Sequence, residues 1–240
     1  MILGIYGYQD SGKTLLVEDL VRALVRKGYS VSSIKHTPHD KTIDCKGKDT
    51  WRHWKAGSDP VVFSSSSETS IIKHSGTRAD KIAALVMREY MPDVLLIEGF
   101  KEGTFPKVAV GSVAPRKGTV LRNPSLELLV EYVETEVEVE RTMAKLPGLD
   151  CGKCGMDCDG LARAIVAGKM KVNKCRELPD VTVEVYSGGK RVPTGRFVSN
   201  LLDGTLRGML GTLKGCAPGD DVEIRLEAKK RASRKRSDRR

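Results

Sequence analysis

Residues 7–14 read Gly7-Tyr8-Gln9-Asp10-Ser11-Gly12-Lys13-Thr14, and this stretch fits the phosphate-loop pattern G-x-x-x-x-G-K-[ST] without a mismatch. An apolar segment at 2–6 precedes it, and residues 14–27 follow with apolar side chains at helical spacing. In such a loop the main-chain N–H groups point at phosphate oxygens, the lysine contacts the β- and γ-phosphates, and the hydroxyl binds magnesium. The sequence therefore predicts a site for a nucleoside triphosphate with Mg²⁺, formed by Gly7, Asp10, Ser11, Gly12, Lys13 and Thr14.

Strand and helix patterns alternate on both sides of this loop. The strand patterns lie at 2–6, 29–35, 60–66, 69–73, 93–98 and 107–111, and helical spacing marks 14–27 and 78–90. This alternation predicts an α/β fold of the P-loop NTPase kind, with a mostly parallel sheet and helices on both faces. Helical spacing is also expected at 123–145. A small Cys-rich α+β unit is expected toward the C-terminus, with strand patterns at 180–186 and 222–226, a turn at 187–190 and helical spacing at 195–214.

Charged residues follow two of the predicted strands, and the carboxyl ends of parallel strands face the ligand crevice. Glu98 ends the strand at 93–98, so we expect it to hold Mg²⁺ together with Thr14 or to orient an attacking water. Beyond the strand at 29–35, Asp44 or Asp49 is a candidate second carboxylate on the magnesium side, and Lys35 and Lys48 are candidates for phosphate contacts. Glu98 and Asp44 are thus the candidate catalytic residues.

The residues alone leave the nucleotide base open. The Asn-Lys-x-Asp signature of many guanine-specific proteins is absent, since the nearest approach to it, residues 172–175, ends in a cysteine. Neither GTP nor ATP is favoured by any other motif.

Four of the six cysteines cluster: Cys151, Cys154 and Cys158 lie close together in the chain, and Cys175 follows. Such a grouping is typical of a metal site rather than of disulfides. Because a second Cys-x-x-Cys pair is missing, the pattern favours an iron–sulfur cluster, with Gly152, Gly155 and Gly160 letting the backbone wrap it. Zinc, and thiols that are redox-active or unligated, remain alternatives. The isolated Cys45 and Cys216 are expected to be small core residues.

The net charge of +10 is concentrated in residues 228–240, which carry eight basic residues and one acidic residue. Such a tail is expected to be disordered and solubilising. The alternative is an electrostatic handle for an acidic protein or nucleic acid, but no aromatic residue is interleaved to stack on bases. No long apolar stretch predicts a membrane span and no signal peptide is recognised, so we expect a cytoplasmic protein without membrane association.

These patterns divide the chain into five parts. We expect a nucleotide-binding domain at 1–122, a helical connector at 123–148, a four-cysteine segment at 149–178, a small α+β unit at 179–227 and the basic tail at 228–240.

With these motifs in place, residues 1–112 resemble the family of molybdopterin-guanine dinucleotide biosynthesis protein B (MobB). Beyond the phosphate loop, the resemblance rests on 35–40, on Asp44 with 47–53, on 56–57 and on 98–101. It implies Mg·GTP binding with slow hydrolysis, assistance to the nucleotidyltransferase that joins GMP to a molybdenum or tungsten pterin cofactor, and homodimers. It also points to the crevice residues Asp44, Lys48, Asp49, Arg52, Glu98 and Lys101. The family often has His where Pro38 stands, so no role of that histidine is carried over.

The cysteine segment resembles the four-cysteine iron–sulfur domain of certain anaerobic and archaeal redox proteins, which implies a 4Fe-4S cluster on Cys151, Cys154, Cys158 and Cys175. The gap between Cys154 and Cys158 is one residue shorter than is usual there. The whole architecture looks like that of archaeal members of the family.

Three functional hypotheses follow. The first is a weak P-loop GTPase that acts as an accessory protein of molybdenum-cofactor maturation. The second is a redox or cluster-carrier protein whose iron–sulfur cluster is gated by the nucleotide. The third is an ATPase that associates with nucleic acid through the tail; nucleic acid is the least expected of these partners.

Overall fold

The computed structural model describes residues 1–180, 183–217 and 220–224. Nine strands and six helices occur in this part of the chain, together with a 3-10 turn at Val172–Lys174. The strands are β1 (Ile2–Gly7), β2 (Val31–Lys35), β3 (Val61–Ser64), β4 (Thr69–Ile72), β5 (Val94–Glu98), β6 (Lys107–Val110), β7 (Thr119–Arg122), β8 (Val185–Ser187) and β9 (Lys190–Val192). The helices are α1 (Lys13–Arg26), α2 (Asp49–Lys55), α3 (Ala79–Tyr90), α4 (Leu126–Ala144), α5 (Cys158–Val166) and α6 (Arg196–Leu210).

A five-stranded parallel sheet forms the centre of the N-terminal part, in the order β2-β5-β1-β6-β7. Strand β5 shows how both faces are covered, because its side chains alternate between them. Leu96 packs with α1 and α4 on one face, whereas Leu95 and Ile97 pack with α3 on the other. The predicted α/β class, with a parallel sheet between helices, is confirmed.

Strands β3 and β4 lie outside this sheet. They pair with each other in antiparallel register, from Val61 opposite Ile72 to Ser64 opposite Thr69. The link between them, residues 65–68, is too short for the crossover that a parallel pair needs. The two predicted strands are therefore present, but they form a separate hairpin, and α2 packs against it.

Helix α4 belongs to two apolar cores. Leu129 and Val133 are buried in the core that α1 and the sheet share, while Val139 is buried with Leu161 in a second core around α5. The helix predicted at 123–145 is thus present, and it joins the N-terminal sheet to the cysteine segment through packing on both sides.

The C-terminal part contains the hairpin β8–β9 and helix α6. The turn predicted at 187–190 and the helix predicted at 195–214 are present, with slightly different bounds. Residues 181–182, which fall in a predicted strand, and the basic tail at 228–240 lie outside the described residues. Of the strand predicted at 222–226, residues 222–224 are described and are not in a strand. Among the described residues, no helix is long and apolar enough to cross a lipid bilayer.

Candidate functional site

The phosphate loop connects β1 to α1 at the carboxyl edge of the sheet. Asp10 and Gly12 adopt left-handed backbone conformations, with φ of 56° and 82°. Gly7 is tightly enclosed, because a Cβ atom there would lie 2.3 Å from the Val110 carbonyl oxygen and 2.5 Å from Ser11 Oγ. The loop thus has the curled backbone that its glycines predict, and Lys13 and Thr14 are the first two residues of α1.

The Lys13 ammonium group folds back over the loop. It donates to the Tyr8 carbonyl oxygen and lies 3.3 Å from Ser11 Oγ. Burial lowers the pKa of Lys13; Glu98 opposes this shift, and Lys35 adds to it. Lys101 is close enough to lower this pKa as well, and its ammonium group lies 5.6 Å from the centre of the Tyr8 ring. The structure therefore brings Lys13, Lys35 and Lys101 together, and three cations around one loop suit a polyphosphate anion.

Glu98 lies at the centre of this edge of the sheet. The Thr14 hydroxyl donates to Glu98 Oε1 at 2.9 Å, and the Lys35 ammonium group forms an ion pair with the same oxygen. The sheet register explains these contacts, since Glu98 at the end of β5 is opposite Ile5 on β1 and Lys35 on β2. Glu98 is only 6% exposed, and a carboxylate is rarely buried to this extent unless it has partners such as these.

The two residues predicted to bind Mg²⁺ are therefore neighbours. A hydroxyl and a carboxylate are hard oxygen donors of the kind that Mg²⁺ takes beside nucleotide phosphates. In this structure Lys35 pairs with that carboxylate, and a magnesium ion would take the place of this contact at the shared oxygen. The residues present fit a magnesium ion held between Thr14 and Glu98.

The close approach of two loops fixes the position of Glu98. Gly99, directly after it, has a φ of 91°, and a Cβ atom there would lie 2.3 Å from the His36 carbonyl oxygen. The His36 N–H in turn donates to the Glu98 carbonyl oxygen at 2.8 Å. Only glycine fits this crossing, so the ends of β2 and β5 are held together directly beneath the site.

Asp44 lies in a different environment from the phosphate loop. Its side chain is 2% exposed, its Oδ1 accepts a hydrogen bond from Thr50 Oγ1 at 2.7 Å, and its Oδ2 is 3.2 Å from His74 Nε2. This close approach lacks hydrogen-bond geometry, and neither atom has another hydrogen-bond partner. The His74 ring stacks on Trp54 with 3.8 Å between centroids. A buried polar atom without a hydrogen bond costs about 1–3 kcal/mol, so this pair is a costly feature that calls for a reason.

Asp44 also borders a cavity of about 420 Å³ between the loop before α2, the start of α2 and the hairpin β3–β4. The lining residues are Ile43, Asp44, Cys45, Lys48, Asp49, Thr50, Phe63, Glu68, Ser70 and Ile72. As far as the described residues go, none from the phosphate loop lines it. The exposure of Cys45 corrects the expectation that it is a core residue, and Cys216 is only half-buried.

Four predicted nucleotide-site or catalytic residues thus lie around α2 rather than beside the phosphate loop. Lys48 and Asp49 line the cavity together with Asp44, while Arg52 faces Asp49 at 3.7 Å in an exposed ion pair. Within the described residues, no hydrogen bond or ion pair joins these four side chains to residues 7–14. Their roles toward a nucleotide stay predictions.

The four clustered cysteines come from two loops and one helix start. Cys158 is the first residue of α5 and is buried, Cys154 and Cys175 are half-buried, and Cys151 is exposed. Burial raises the pKa of the Cys175 thiol; a hydrogen bond from the Glu177 backbone opposes this shift, and the charges of the three other cysteines add to it. All four thiols therefore share one neighbourhood.

These thiols are close without forming a finished metal site. Across residues 1–180, 183–217 and 220–224, no group of three or more His, Cys, Asp or Glu side chains is arranged to hold a metal ion. The donor set nevertheless fits an iron–sulfur cluster, because four thiolates are its usual ligands and the start of α5 favours negative charge at Cys158. Gly152 and Gly155 have φ values of 68° and 95° and open space around them, so the loop has room for a cluster.

An ion pair fastens the two cysteine loops to each other. Lys153, between the first two cysteines, binds Glu177, which follows Cys175, and this hydrogen bond with Glu177 raises the pKa of Lys153. Sequence reasoning missed this pair, as it missed His74 and Phe63 at the cavity. Lys153 is next to Cys154 and Glu177 lies two residues after Cys175, which was the available signal; nothing in the sequence marks His74 or Phe63.

Two family models match separate parts of this chain. The family model "Molybdopterin guanine dinucleotide synthesis protein B" (MobB) matches residues 2–132, and the model "Putative Fe-S cluster" matches residues 146–176. Neither model extends into the C-terminal hairpin or α6.

Relatives are found in archaea and bacteria. A protein of Methanocaldococcus jannaschii, named "Putative molybdopterin-guanine dinucleotide biosynthesis adapter protein", is 28% identical over 95% of this chain and 98% of its own length. A Haemophilus influenzae protein, named "Molybdopterin-guanine dinucleotide biosynthesis adapter protein", is 34% identical over 59% of this chain and 79% of its own. The crystal structure of Bacillus subtilis MobB covers 56% of this chain and 96% of its own at 22% identity, with a TM-score of 0.44.

Proposed function

The chain belongs to the MobB family, and from this membership we propose that it binds Mg·GTP and serves as an adapter protein in the synthesis of molybdopterin guanine dinucleotide. An adapter presents or positions a nucleotide for a partner enzyme and need not turn it over rapidly. The partner is the nucleotidyltransferase that joins GMP to the pterin cofactor, and the working form is a homodimer. The single observation that carries the nucleotide part is the contact of Thr14 with Glu98 beside Lys13.

Each residue of this edge has a physical role in binding. The main-chain N–H groups of residues 10–14 and the ammonium group of Lys13 hold the phosphate oxygens, while Lys35 and Lys101 add positive charge. Thr14 and Glu98 hold the magnesium ion, which when bound neutralises phosphate charge. The alternative role for Glu98 is to orient the water that attacks the terminal phosphate.

Hydrolysis is slow in this proposal. The phosphate loop itself contains no arginine, and a positive side chain that reaches the terminal phosphate is what accelerates this reaction in related enzymes. Arg52 lies on α2, where its partner is Asp49, so it reaches a phosphate only if α2 moves. A slow rate suits an adapter, because the nucleotide persists until the partner enzyme binds.

The nucleotide part is tested by titrating Mg·GTP and Mg·ATP into the wild-type protein and Lys13→Ala. We expect at least about a 100-fold loss of affinity in the variant, because the phosphates of the nucleotide lose a charged partner. Lys81→Ala, which removes an exposed lysine on α3, is the matched control and retains wild-type affinity. Equal affinities of wild type and Lys13→Ala contradict the proposed site.

The adapter part is tested separately, by adding the chain to a purified nucleotidyltransferase with its pterin substrate. The expected result is a faster formation of the guanine dinucleotide product with the wild type than with Lys13→Ala. No change with either protein would remove the adapter role while leaving nucleotide binding in place.

A second candidate function is an iron–sulfur protein whose cluster responds to the nucleotide. The observation that favours it is the continuous packing from α1 through α4 to α5, which begins at Cys158. In this proposal Cys151, Cys154, Cys158 and Cys175 hold a 4Fe-4S cluster. The test is anaerobic: Mg·GTP affinity is measured with the cluster oxidised and reduced, and equal affinities reduce the cluster to a structural role.

A further inference from the structure

The cavity beside α2 is not part of the phosphate-loop site described above. We propose that it binds the 2-amino-4-oxopyrimidine ring of a pterin, with Asp44 and Glu68 facing the donor edge of the ring and Phe63 against its face. The choice of a pterin over other rings rests on the proposed function, whereas the ring chemistry rests on the lining of the cavity.

A buried acceptor without a hydrogen bond is the first reason. The Asp44 side chain is 2% exposed, the residue lines the cavity, and its Oδ2 lies 3.2 Å from His74 Nε2 without a hydrogen bond. A carboxylate accepts several hydrogen bonds, and Thr50 supplies one to Oδ1. Polar atoms that are left unsatisfied in a folded protein commonly await a ligand or water.

The carboxylates at the mouth are the second reason. Glu68 and Asp49 also line the cavity, and Ser70 Oγ donates to Glu68, which orients that carboxylate. A 2-amino-4-oxopyrimidine presents two parallel N–H donors on one edge. A guanidinium group binds a carboxylate through a similar pair of parallel N–H donors. A metal ion is the competing occupant of such a group, but across the described residues no three His, Cys, Asp or Glu side chains are arranged to hold one.

The walls of the cavity are the third reason. Phe63 and Ile72 come from the facing strands of the hairpin β3–β4, Ile43 comes from the loop before α2, and the volume of about 420 Å³ is of the size that small ligands occupy. Phe63 is 43% exposed, so its ring is available for stacking. Lys48, at the mouth, has no ion-pair partner among the described residues and would meet the phosphate that such a cofactor carries.

The chain contains its own reporter for this cavity. Its two tryptophans, Trp51 and Trp54, both lie on α2, and Trp54 stacks on His74, which contacts Asp44. A pterin absorbs light in the range where tryptophan emits. Tryptophan fluorescence should therefore fall when a pterin binds, and the variants of the cavity residues test whether it binds there.

The experiment is a titration of the full chain with pterin-6-carboxylate, followed by tryptophan fluorescence and by equilibrium dialysis. We expect saturable quenching, weakened at least about tenfold in Phe63→Ala and in Glu68→Gln, because each loses a contact with the ring. Val62→Ala, on the other face of the same strand, and Glu89→Gln, on α3, are the matched controls and bind as the wild type does. Asp44→Asn should bind more weakly still; because that residue is buried, its folding is checked by thermal unfolding, and the two exposed variants decide the question if it fails to fold.

Two ligand comparisons distinguish the source of the ring. Lumazine, which has an oxo group in place of the amino group, should bind at least about tenfold more weakly, since it lacks one donor of the edge. GMP is titrated into Lys13→Ala, in which the phosphate-loop site is disabled. If GMP quenches the fluorescence, the pterin does not, and Phe63→Ala weakens the binding of GMP, the cavity is a guanine site. That result would overturn the proposal. Absent or unspecific quenching with the pterin would overturn it as well.

The outcome is separable from that of the proposed function. Lys13→Ala should lose Mg·GTP and keep the pterin, whereas Phe63→Ala should lose the pterin and keep Mg·GTP. Pterin binding in a protein that does not bind Mg·GTP would leave this inference standing and remove the nucleotide part of the proposed function.

Discussion

The phosphate-loop site and the cysteine segment differ in what holds their side chains in place. Lys35 and Glu98 end neighbouring strands, Thr14 lies in the first turn of α1, and both Thr14 and Lys35 contact Glu98. Cys151 and Cys175, by contrast, come from separate loops, and the described thiols form no metal-binding arrangement. The first site is organised by the sheet, whereas the second has its residues gathered and needs its ligand to finish the geometry. Four predictions can break or sharpen this contrast.

The largest effect is expected from Cys158→Ser. Replacing the buried thiol at the start of α5 should reduce iron and sulfide to background after anaerobic purification, because a cluster loses one of its four ligands. The affinity for Mg·GTP should stay within about twofold of the wild type, since the sheet holds that site. Cys45→Ser, which removes an exposed thiol away from the segment, is the control. Full iron content in Cys158→Ser would contradict the assignment, and zinc in the wild type would replace the cluster.

The next effect tests the rigidity of the nucleotide side. Gly99→Ala should lower the free energy of unfolding by at least about 2 kcal/mol more than Gly57→Ala, because both have positive φ but only Gly99 faces a backbone atom. The φ values are 91° and 109°, and a Cβ atom at Gly99 would lie 2.3 Å from the His36 carbonyl oxygen, with nothing within 4 Å at Gly57. Denaturant unfolding followed by circular dichroism measures both. Equal losses would show that the crossing of β2 and β5 is soft.

At the opposite edge of the sheet, the contacts of Asp93 predict a contribution to folding stability that is lost in acid. Its carboxylate accepts from the Ser30 N–H at 2.9 Å and from Arg141 at 2.7 Å, and the backbone hydrogen bond from Ser30 is the main cause that lowers its pKa to about 2. A lowered pKa stabilises the fold above the usual value near 3.8 and loses that contribution as the pH falls toward 2. Asp93→Asn should cost about 1–2 kcal/mol at pH 7 and flatten the pH dependence between about 4 and 2.

Unfolding curves of the wild type and Asp93→Asn from pH 2 to pH 7 check this prediction. Asp80→Asn is the control, because its partner Arg78 is a near neighbour on the surface rather than on another element. Parallel pH curves for wild type and Asp93→Asn would be the contrary result.

The smallest effect concerns the joint between the two regions. Arg163 on α5 contacts Glu136 on α4 through two hydrogen bonds of 2.6 and 3.0 Å, and these raise its pKa. Arg163→Ala should cost about 0.5–1 kcal/mol, since the pair is partly exposed. Arg22→Ala removes similar ion pairs within α1 and is the control. Protease cleavage within residues 149–175 should be faster in Arg163→Ala than in the wild type, and unchanged in Arg22→Ala. Equal cleavage rates in all three proteins would mean that apolar packing alone holds α5 on α4.

Sequence reasoning succeeded where apolar spacing was long or buried. The sheet strands β1, β2, β5 and β6 and the helices α1, α3 and α4 were predicted, because their buried faces impose a repeat on the sequence. It missed β7, a four-residue edge strand, and α2, whose seven residues are mostly polar. Such short elements are specified by neighbours rather than by their own pattern.

The same limit applies to the sites. Gly7, Lys13 and Thr14 follow from a local motif, and Glu98 follows from the end of a buried strand. The separation of Asp44 from the phosphate loop did not follow, because it depends on how residues 43–50 fold against the hairpin β3–β4. His74 lies well along the chain from Asp44, and only the tertiary structure brings them to 3.2 Å.

Helix α4 has a consequence for how this protein can be divided. The matched family region stops at residue 132, yet α4 continues to Ala144 and buries Leu129 on one side and Val139 on the other. An expression fragment that ends near residue 132 would remove Val133 and Val137 from the first core, and one that starts there would lose the support of α1 and the sheet. Within this chain, α4 therefore ties the two modules together as one folding unit.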